Sequence, residues 1–358
     1  MVARGPGAVG CAHCTLLGAE VACEVCKHLV CATCAADWAT CTEPSGRTFR
    51  MGMTARLIDV DPSGKHGLVQ TWKGAMKLVD LRELRWVDEP ELTHARNSDL
   101  RPRVTSDGRV FRPTLTSAIT ANDISVLFGV TMSTLGSREH RVLEYLPPPS
   151  RATGVTAHHD RFYYVTDTEL VAIVAGRFAN VYEPLPKKVV QAVHVDASRD
   201  VIAAGTWGEI AIQRIVDGRL VLAGHTKTTG DTVWLQIAGD YLAAHVKTGA
   251  HRGITVWQLH PDLSIGAEVV RIADRVEAAA LSSDGRYFAV GVDGDHVLVR
   301  DLAAGTSAEL DGHTDTISFV RFVGDDHVLV SADDDNRVIL RPRGPNGYPQ
   351  AVLPIELD

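Results

Sequence analysis

From residue 51 onward, hydrophobic and polar positions alternate in short segments rich in valine, isoleucine and leucine, separated by small polar turns. This alternation is typical of β-strands, and there is little helical periodicity. One pattern recurs along the sequence. It consists of a strand, a turn of the Ser-Asp-Gly kind, a second strand, a tighter turn and a third strand. It is clearest in residues 279–302, and a second copy spans residues 318–342. The pattern predicts an all-β fold built from repeated units.

The turn between the first two strands marks each unit. A Gly or Asp in that turn gives seven marker positions: Gly64, Gly108, Asp160, Asp200, Asp240, Gly285 and Asp325. Most successive markers are about 40–45 residues apart, and the interval between the second and third is longer. A period of this length with several strands per unit is typical of β-propeller blades. Seven markers predict a seven-bladed β-propeller.

The residues around these turns resemble the WD-repeat family over about residues 51–358. The last unit has Gly312-His313 ahead of its first strand and Asp335 in the turn before its third strand. In that family such a His and Asp hydrogen-bond within a blade, so the resemblance implies that His313 and Asp335 form a structural pair. Gly224-His225 resembles the same element, but its turn has no Asp. The Trp-Asp motif of the family is degenerate, with Arg341-Pro342 in its place in the last unit.

Aromatic residues also follow the predicted strands. Large and small side chains alternate along them, as the tapered packing between blades requires. We therefore expect Trp207, Trp234 and Trp257 to lie in the core.

All the cysteines lie near the start of the chain. They are Cys11, Cys14, Cys23, Cys26, Cys31, Cys34 and Cys41. They form three CxxC pairs and a seventh thiol, and paired thiolates at this spacing suit a tetrahedral zinc ion. The odd number and the lack of a secretory signal argue against a disulfide scaffold. Three tandem pairs argue against a thioredoxin-like redox site.

The spacing of the pairs favours interleaved ligation. Only four residues separate Cys26 from Cys31. This connector is too short to favour binding of the second and third CxxC pairs to the same ion. The first zinc site would then consist of Cys11, Cys14, Cys31 and Cys34. The second would contain Cys23, Cys26 and later ligands. Sites with four protein ligands are structural, because a catalytic zinc ion keeps an open position.

This cysteine-rich segment resembles the B-box zinc finger. The resemblance implies that Cys41 and Asp37 complete the second site, although the family more often has His at these positions. His28 is an alternative ligand, and incomplete occupancy of the second site is another possibility. The prediction is therefore one or two structural zinc ions.

Charge and motifs limit the function. The net charge is −8, the excess acid lies after residue 50, and no basic cluster is present, which argues against nucleic-acid binding. No apolar run reaches the length of a membrane span, so we expect a cytoplasmic protein without a membrane partner. The common nucleotide-binding, hydrolase and metalloprotease motifs are absent. We therefore expect no enzymatic activity.

Together these patterns predict a B-box-like zinc-binding module over residues 1–47 and a seven-bladed, WD40-like β-propeller over residues 48–358. The predicted function is a non-enzymatic adaptor or scaffold for protein–protein interaction in a multiprotein complex, such as a bacterial conflict or signalling system. One alternative is an accessory subunit of a ubiquitin-ligase-like system. The other is a propeller enzyme whose carboxylates and histidines converge at the channel mouth.

Overall fold

A computed structural model of the chain describes strands and many of the turns between them. The described residues are 21–22, 29–30, 46–51, 55–71, 75–81, 85–87, 92–93, 103–104, 109–120, 123–134, 140–146, 154–158, 161–165, 170–174, 177–182, 190–196, 198–217, 219–249, 252–273, 276–292, 294–324, 326–344, 347–349 and 352–354. Side chains are described mainly over residues 51–81 and 190–349.

Every regular element in these ranges is a β-strand, as the alternation predicted. In chain order the strands are β1 (Val21–Ala22), β2 (Leu29–Val30), β3 (Gly46–Arg50), β4 (Ala55–Val60), β5 (His66–Thr71), β6 (Ala75–Asp80), β7 (Arg85–Trp86), β8 (Leu92–Thr93), β9 (Arg103–Val104), β10 (Arg109–Thr120), β11 (Asp123–Thr134), β12 (His140–Leu146), β13 (Gly154–His158), β14 (Arg161–Val165), β15 (Leu170–Val174), β16 (Arg177–Tyr182), β17 (Val190–Asp196), β18 (Val201–Val216), β19 (Arg219–Ala238), β20 (Tyr241–Val246), β21 (Gly253–Leu259), β22 (Ile265–Ile272), β23 (Val276–Leu281), β24 (Tyr287–Val292), β25 (His296–Asp301), β26 (Thr306–Leu310), β27 (Ile317–Val323), β28 (Val328–Asp333), β29 (Arg337–Pro342) and β30 (Val352–Pro354). Within the described ranges there is no apolar helix of a length that could span a membrane.

The chain forms two compact units, residues 1–89 with 276–358 and residues 90–275. In the first unit, neighbouring strands form the sheets β4-β5-β6-β7, β23-β24-β25-β26 and β27-β28-β29-β3-β30, and β1 pairs with β2. In the second unit the sheets are β9-β10-β11-β12, β13-β14-β15-β16 and β17 to β22 in sequence order. Neighbours are antiparallel except for β3 and β30, which are parallel.

The seven predicted marker turns all fall, along the chain, between two consecutive antiparallel strands. These pairs are β4/β5, β9/β10, β13/β14, β17/β18, β19/β20, β23/β24 and β27/β28. Two of the pairs belong to the six-stranded sheet, because β19 pairs with β18 through its first half and with β20 through its second. Each predicted marker therefore lies between two paired strands of the all-β fold.

Strand β3, near the start of the chain, pairs with strands near its end. It precedes the first sheet in sequence but pairs with β29 of the last sheet, where Arg50 lies opposite Arg337 and Arg47 opposite Leu340. On its other edge, Gly46 lies opposite Val352 of β30. The boundary expected between residues 47 and 48 thus falls inside β3. Cross-strand pairing over such a distance leaves no local sequence signal.

The first and last sheets of this unit share one apolar core. Leu57 and Val60 of β4 and Phe319 and Val323 of β27 belong to the same buried cluster. A salt bridge between Arg321 of β27 and the fully buried carboxylate of Asp59 crosses the same contact. The N–H of Gly324 also donates to the carbonyl of Pro62, at 2.8 Å. Residues near both ends of the propeller segment therefore stabilise one packed unit.

Candidate protein-interaction surface

Exposed apolar side chains are concentrated in the second unit. The large hydrophobic residues exposed in the described part of the chain are Trp207 (64%), Val216 (45%), Val221 (50%), Leu222 (59%) and Val233 (42%). All of them lie on β18 and β19. Single exposed hydrophobic residues are normal on a soluble protein. These five form two groups: Val216, Val221 and Leu222 lie near the turn between β18 and β19, whereas Trp207 and Val233 lie near the pair of Trp207 with Asp231.

Trp207 corrects our expectation that it lies in the core. Trp234 and Trp257 are half-buried, and Trp257 packs against the apolar cluster of the second unit. Trp207 instead projects into solvent, because it occupies a turn and not a regular strand position. Alternation along a strand predicts burial only while the strand continues.

The turn at Trp207 lies in the middle of β18. The N–H of Ile215 donates to the carbonyl of Asp200 at 2.8 Å. In one extended strand those two residues would be about 50 Å apart, so β18 must fold back on itself. Gly208 supplies the positive φ of 86° at the reversal. Buried Thr206 donates its hydroxyl to the carbonyl of Glu209 (3.3 Å) across the turn.

Two neighbouring backbone segments hold this turn in place. Asp231 of β19 is the cross-strand partner of Trp207, and its carbonyl accepts the N–H of Lys247 at 2.9 Å. A Cβ atom on Gly230 would lie only 2.1 Å from the carbonyl oxygen of Thr248, so these segments are in direct backbone contact. A compact cluster of turns therefore presents Trp207, which limits the conformational entropy lost when it binds a partner.

Val233 is presented next to this cluster. The register of β19 with β20 shifts between Thr232 and Trp234, which leaves Val233 as the extra residue of a β-bulge. Its side chain is directed to solvent, whereas Thr232 is fully buried. The bulge therefore adds a second exposed apolar group two residues after Asp231.

Charged residues lie near the two apolar groups along the backbone. We define the Trp207 surface as Trp207, Lys227, Asp231, Val233, Lys247 and Arg252. Lys227 pairs across the strands with Glu209, two residues from Trp207. Arg252 ends the turn that starts at Lys247, and its N–H donates to the carbonyl of Gly249 (3.2 Å). Sequence reasoning missed this surface, although Trp207-Gly208 between two apolar segments is a turn signal.

The predicted pair of His313 and Asp335 is wrong in its second member. His313 is buried, and its Nδ1 lies 3.0 Å from Oδ2 of Asp333, while its Nε2 lies 2.8 Å from Oγ of Ser331. Asp335 instead accepts the hydroxyl of Thr314 at 3.2 Å. Asp333 is the better partner because it begins the turn, where its Oδ1 also accepts the N–H of Arg337 (2.8 Å).

The environment sets the protonation of this pair. Burial lowers the pKa of His313, and the hydrogen bond with Asp333 offsets only part of that effect. Burial alone would raise the pKa of Asp333, but hydrogen bonds from His313 and two backbone N–H groups outweigh it and lower the pKa. A neutral imidazole therefore donates from Nδ1 to the carboxylate and accepts the hydroxyl of Ser331 at Nε2. Arg341, in the place of the family's Trp, also reaches Ser331 (3.4 Å).

The predicted zinc ligands lie outside the described residues. They are Cys11, Cys14, Cys31, Cys34, Cys23, Cys26, Cys41 and Asp37, together with the alternative His28. In the same segment β1 and β2 pair antiparallel, with Val21 opposite Val30, and residues 23–28 connect them. In the part of the chain with described side chains, no group of three or more His, Cys, Asp or Glu residues could hold a metal ion.

Comparisons with known proteins identify the fold. No protein-family model and no curated protein matches the chain. Among solved structures, it is similar to the β-propeller domain of Cps50 (Swd1) from Myceliophteria thermophila, with a TM-score of 0.57, 14% identity, and coverage of 82% of this chain and 98% of that one. It is also similar to the computationally designed Ika8 protein, with a TM-score of 0.52, 16% identity and the same coverage. At these identities the likeness shows the fold alone, and that fold is a β-propeller.

Proposed function

We propose that the chain is a non-enzymatic scaffold that binds a protein partner through the Trp207 surface. The observation that carries this proposal is the exposure of Trp207 at a turn fixed by its own hydrogen bonds. Burying the exposed part of an indole of this size would contribute about 3 kcal/mol, which is the scale of a binding hot spot. The propeller fold supports the proposal, because the turns between its strands lie at the surface.

The polar groups nearby are suited to association. Asp231 accepts the side-chain amide of Gln191 at 3.0 Å, and Glu209 lies 3.3 Å from His225. These carboxylates thus contribute to the local structure. The groups that project outward are an indole, a valine and three cationic side chains, which provide contact area and charge for a partner.

The test compares two exposed residues on the same pair of strands. Tagged chains with Trp207→Ala or Leu222→Ala are purified from cells that naturally express the protein, and co-purifying proteins are quantified by mass spectrometry. Both side chains are more than half exposed, so neither change should alter folding. We expect Trp207→Ala to deplete at least one partner tenfold and Leu222→Ala to retain it. Equal recovery of every partner with all three chains would refute the Trp207 surface as the docking site.

We also propose that the seven repeats are seven blades and that β3 completes the last one. The seven marker turns and the pairing of β3 with β29 support this arrangement. A crystal structure of the full chain would count the blades directly, and six or eight would overturn the repeat assignment.

We further propose that residues 11–41 bind one or two zinc ions, with Cys11, Cys14, Cys31 and Cys34 at the first site. The support is the CxxC spacing and the β1–β2 pair around the connector that contains the second CxxC. Bound zinc would supply folding energy that about fifty residues cannot obtain from an apolar core. Reduced thiols require a reducing compartment, so this proposal goes with a cytoplasmic location.

A further inference from the structure

We infer that the partner segment at the Trp207 surface is acidic and carries one apolar anchor residue. This inference rests on the proposed function, since it names the chemistry of the partner at the same surface. Two features carry it: the balance of unpaired charge around Trp207, and the order in which the charged and apolar groups lie.

The cations of the surface have no internal partners. Lys227, Lys247 and Arg252 are exposed, and within the described residues none of them forms an ion pair. By contrast, the exposed guanidinium of Arg271 in the same unit lies 2.6 Å from Glu268. The surface therefore offers positive charge to a ligand.

The nearby carboxylates are already engaged. The side chain of Glu209 is only 17% exposed and faces His225. Asp231 accepts Gln191 through its side chain, while its backbone bonds to Lys247 and to the hydroxyl of Thr248. These contacts engage both carboxylates within the protein, so the three cations are the more exposed charged groups of the surface.

The positions of these groups define the length of the ligand. Trp207 lies next to Asp231, which lies next to Lys247, so the backbones of Trp207 and Lys247 are about 10 Å apart at ordinary strand spacing. Lys227 lies on the other side of the turn, opposite Glu209. Along the backbone, Trp207 is thus flanked by positions that carry cations. An extended segment of about five residues, with an apolar side chain in the middle and acidic residues on each side, matches this order.

The experiment starts without a known ligand. The full chain is immobilised and used to select from a phage-displayed library of random 12-residue peptides, and unbound clones are removed at low salt. The proposal predicts enriched peptides with net negative charge and a large apolar residue flanked by Asp or Glu. Enrichment of neutral or basic peptides, or no enrichment over a bare matrix, overturns it.

Matched charge reversals then locate the binding site. Lys227→Glu and Arg219→Glu both reverse an exposed cation on β19, about 26 Å apart along the strand. Fluorescence anisotropy with a labelled enriched peptide should show at least a tenfold weaker Kd for Lys227→Glu and less than a twofold change for Arg219→Glu. Raising salt from 50 to 200 mM should weaken binding severalfold. Equal effects of the two reversals overturn the assignment.

A further arm separates this inference from its rival and from the proposed function. Labelled poly-uridine RNA should bind more than tenfold more weakly than the selected peptide, and tighter binding of RNA overturns the acidic-peptide inference. If Trp207→Ala depletes the cellular partner while Lys227→Glu retains it, the scaffold function stands and the acidic partner is refuted. If Trp207→Ala depletes nothing, the proposed function itself fails.

Discussion

Replacing His313 by Ala should destabilise the chain through two buried hydrogen-bond partners. The imidazole contacts Oδ2 of Asp333 at 3.0 Å and Oγ of Ser331 at 2.8 Å, and all three side chains are buried. Leaving a buried polar group unsatisfied costs about 1–3 kcal/mol.

Each partner keeps part of its bonding after the change. Asp333 still accepts the N–H groups of Thr314 (3.2 Å) and Arg337 (2.8 Å), and Ser331 keeps its contact with Arg341. We therefore take the lower end for each of the two groups, which gives a loss of about 2 kcal/mol in the free energy of unfolding.

Two control variants make this number informative. His225→Ala removes a half-exposed ring that lies 3.3 Å from Glu209, and such a pair contributes about 0–1 kcal/mol. Asp335→Ala removes the residue that the WD-repeat register predicted as the partner, and its loss should also remain below about 1 kcal/mol. Asp333→Ala should match or exceed His313→Ala. The assay is urea unfolding of the full chain, followed by tryptophan fluorescence and by circular dichroism. A loss at Asp335 equal to that at Asp333, or equal losses at His313 and His225, would refute the assignment.

Four further outcomes are expected. As pH falls below 6.5, His313 is protonated in the unfolded chain before it is protonated in the folded chain, because folding lowers its pKa. The stability advantage of wild type over His313→Ala in urea unfolding should therefore shrink as pH falls. An advantage that grows would contradict this. Arg321→Ala leaves the buried Asp59 carboxylate without its guanidinium and should lower stability by about 3 kcal/mol, against less than about 1 kcal/mol for Arg271→Ala at an exposed pair. Equal losses would contradict the contribution of this salt bridge to the packing of β27 against β4. A chain that starts at residue 45 should unfold cooperatively, whereas one that starts at residue 52 lacks β3 and buried Met51 and should unfold at clearly lower urea; identical midpoints would argue against β3 as part of the last sheet. Metal analysis of protein purified without chelator should find about one to two zinc ions per chain, and a ratio near zero with seven titratable thiols would exclude the zinc sites.

Local signals in the sequence predicted much of the fold. The turn at Gly285 shows why: Ser282 donates its hydroxyl to Asp284 at 2.6 Å, and the Gly has a φ of 75°. Such turns need particular residues within a few positions, so their spacing can be read directly from the chain. The all-β class and the repeat positions rest on signals of this kind.

The remaining features depend on contacts that local sequence does not contain. The pairing of β3 with β29 joins segments from opposite ends of the chain. Three consecutive acidic residues at 333–335 fit the same motif spacing, and only the turn geometry selects Asp333 as the partner of His313. The alternation of large and small side chains predicts a core position for Trp207, but the reversal of β18 places it at the surface.

The most direct test of the account is photo-crosslinking from the Trp207 surface in cells that naturally express the chain. p-Benzoyl-phenylalanine replaces Trp207 in one chain and Leu222 in another, two exposed positions on the same pair of strands. The account predicts that irradiation joins a distinct protein to the chain from position 207, and that position 222 gives none of this adduct. No adduct at position 207, or the same adduct from both positions, would contradict it.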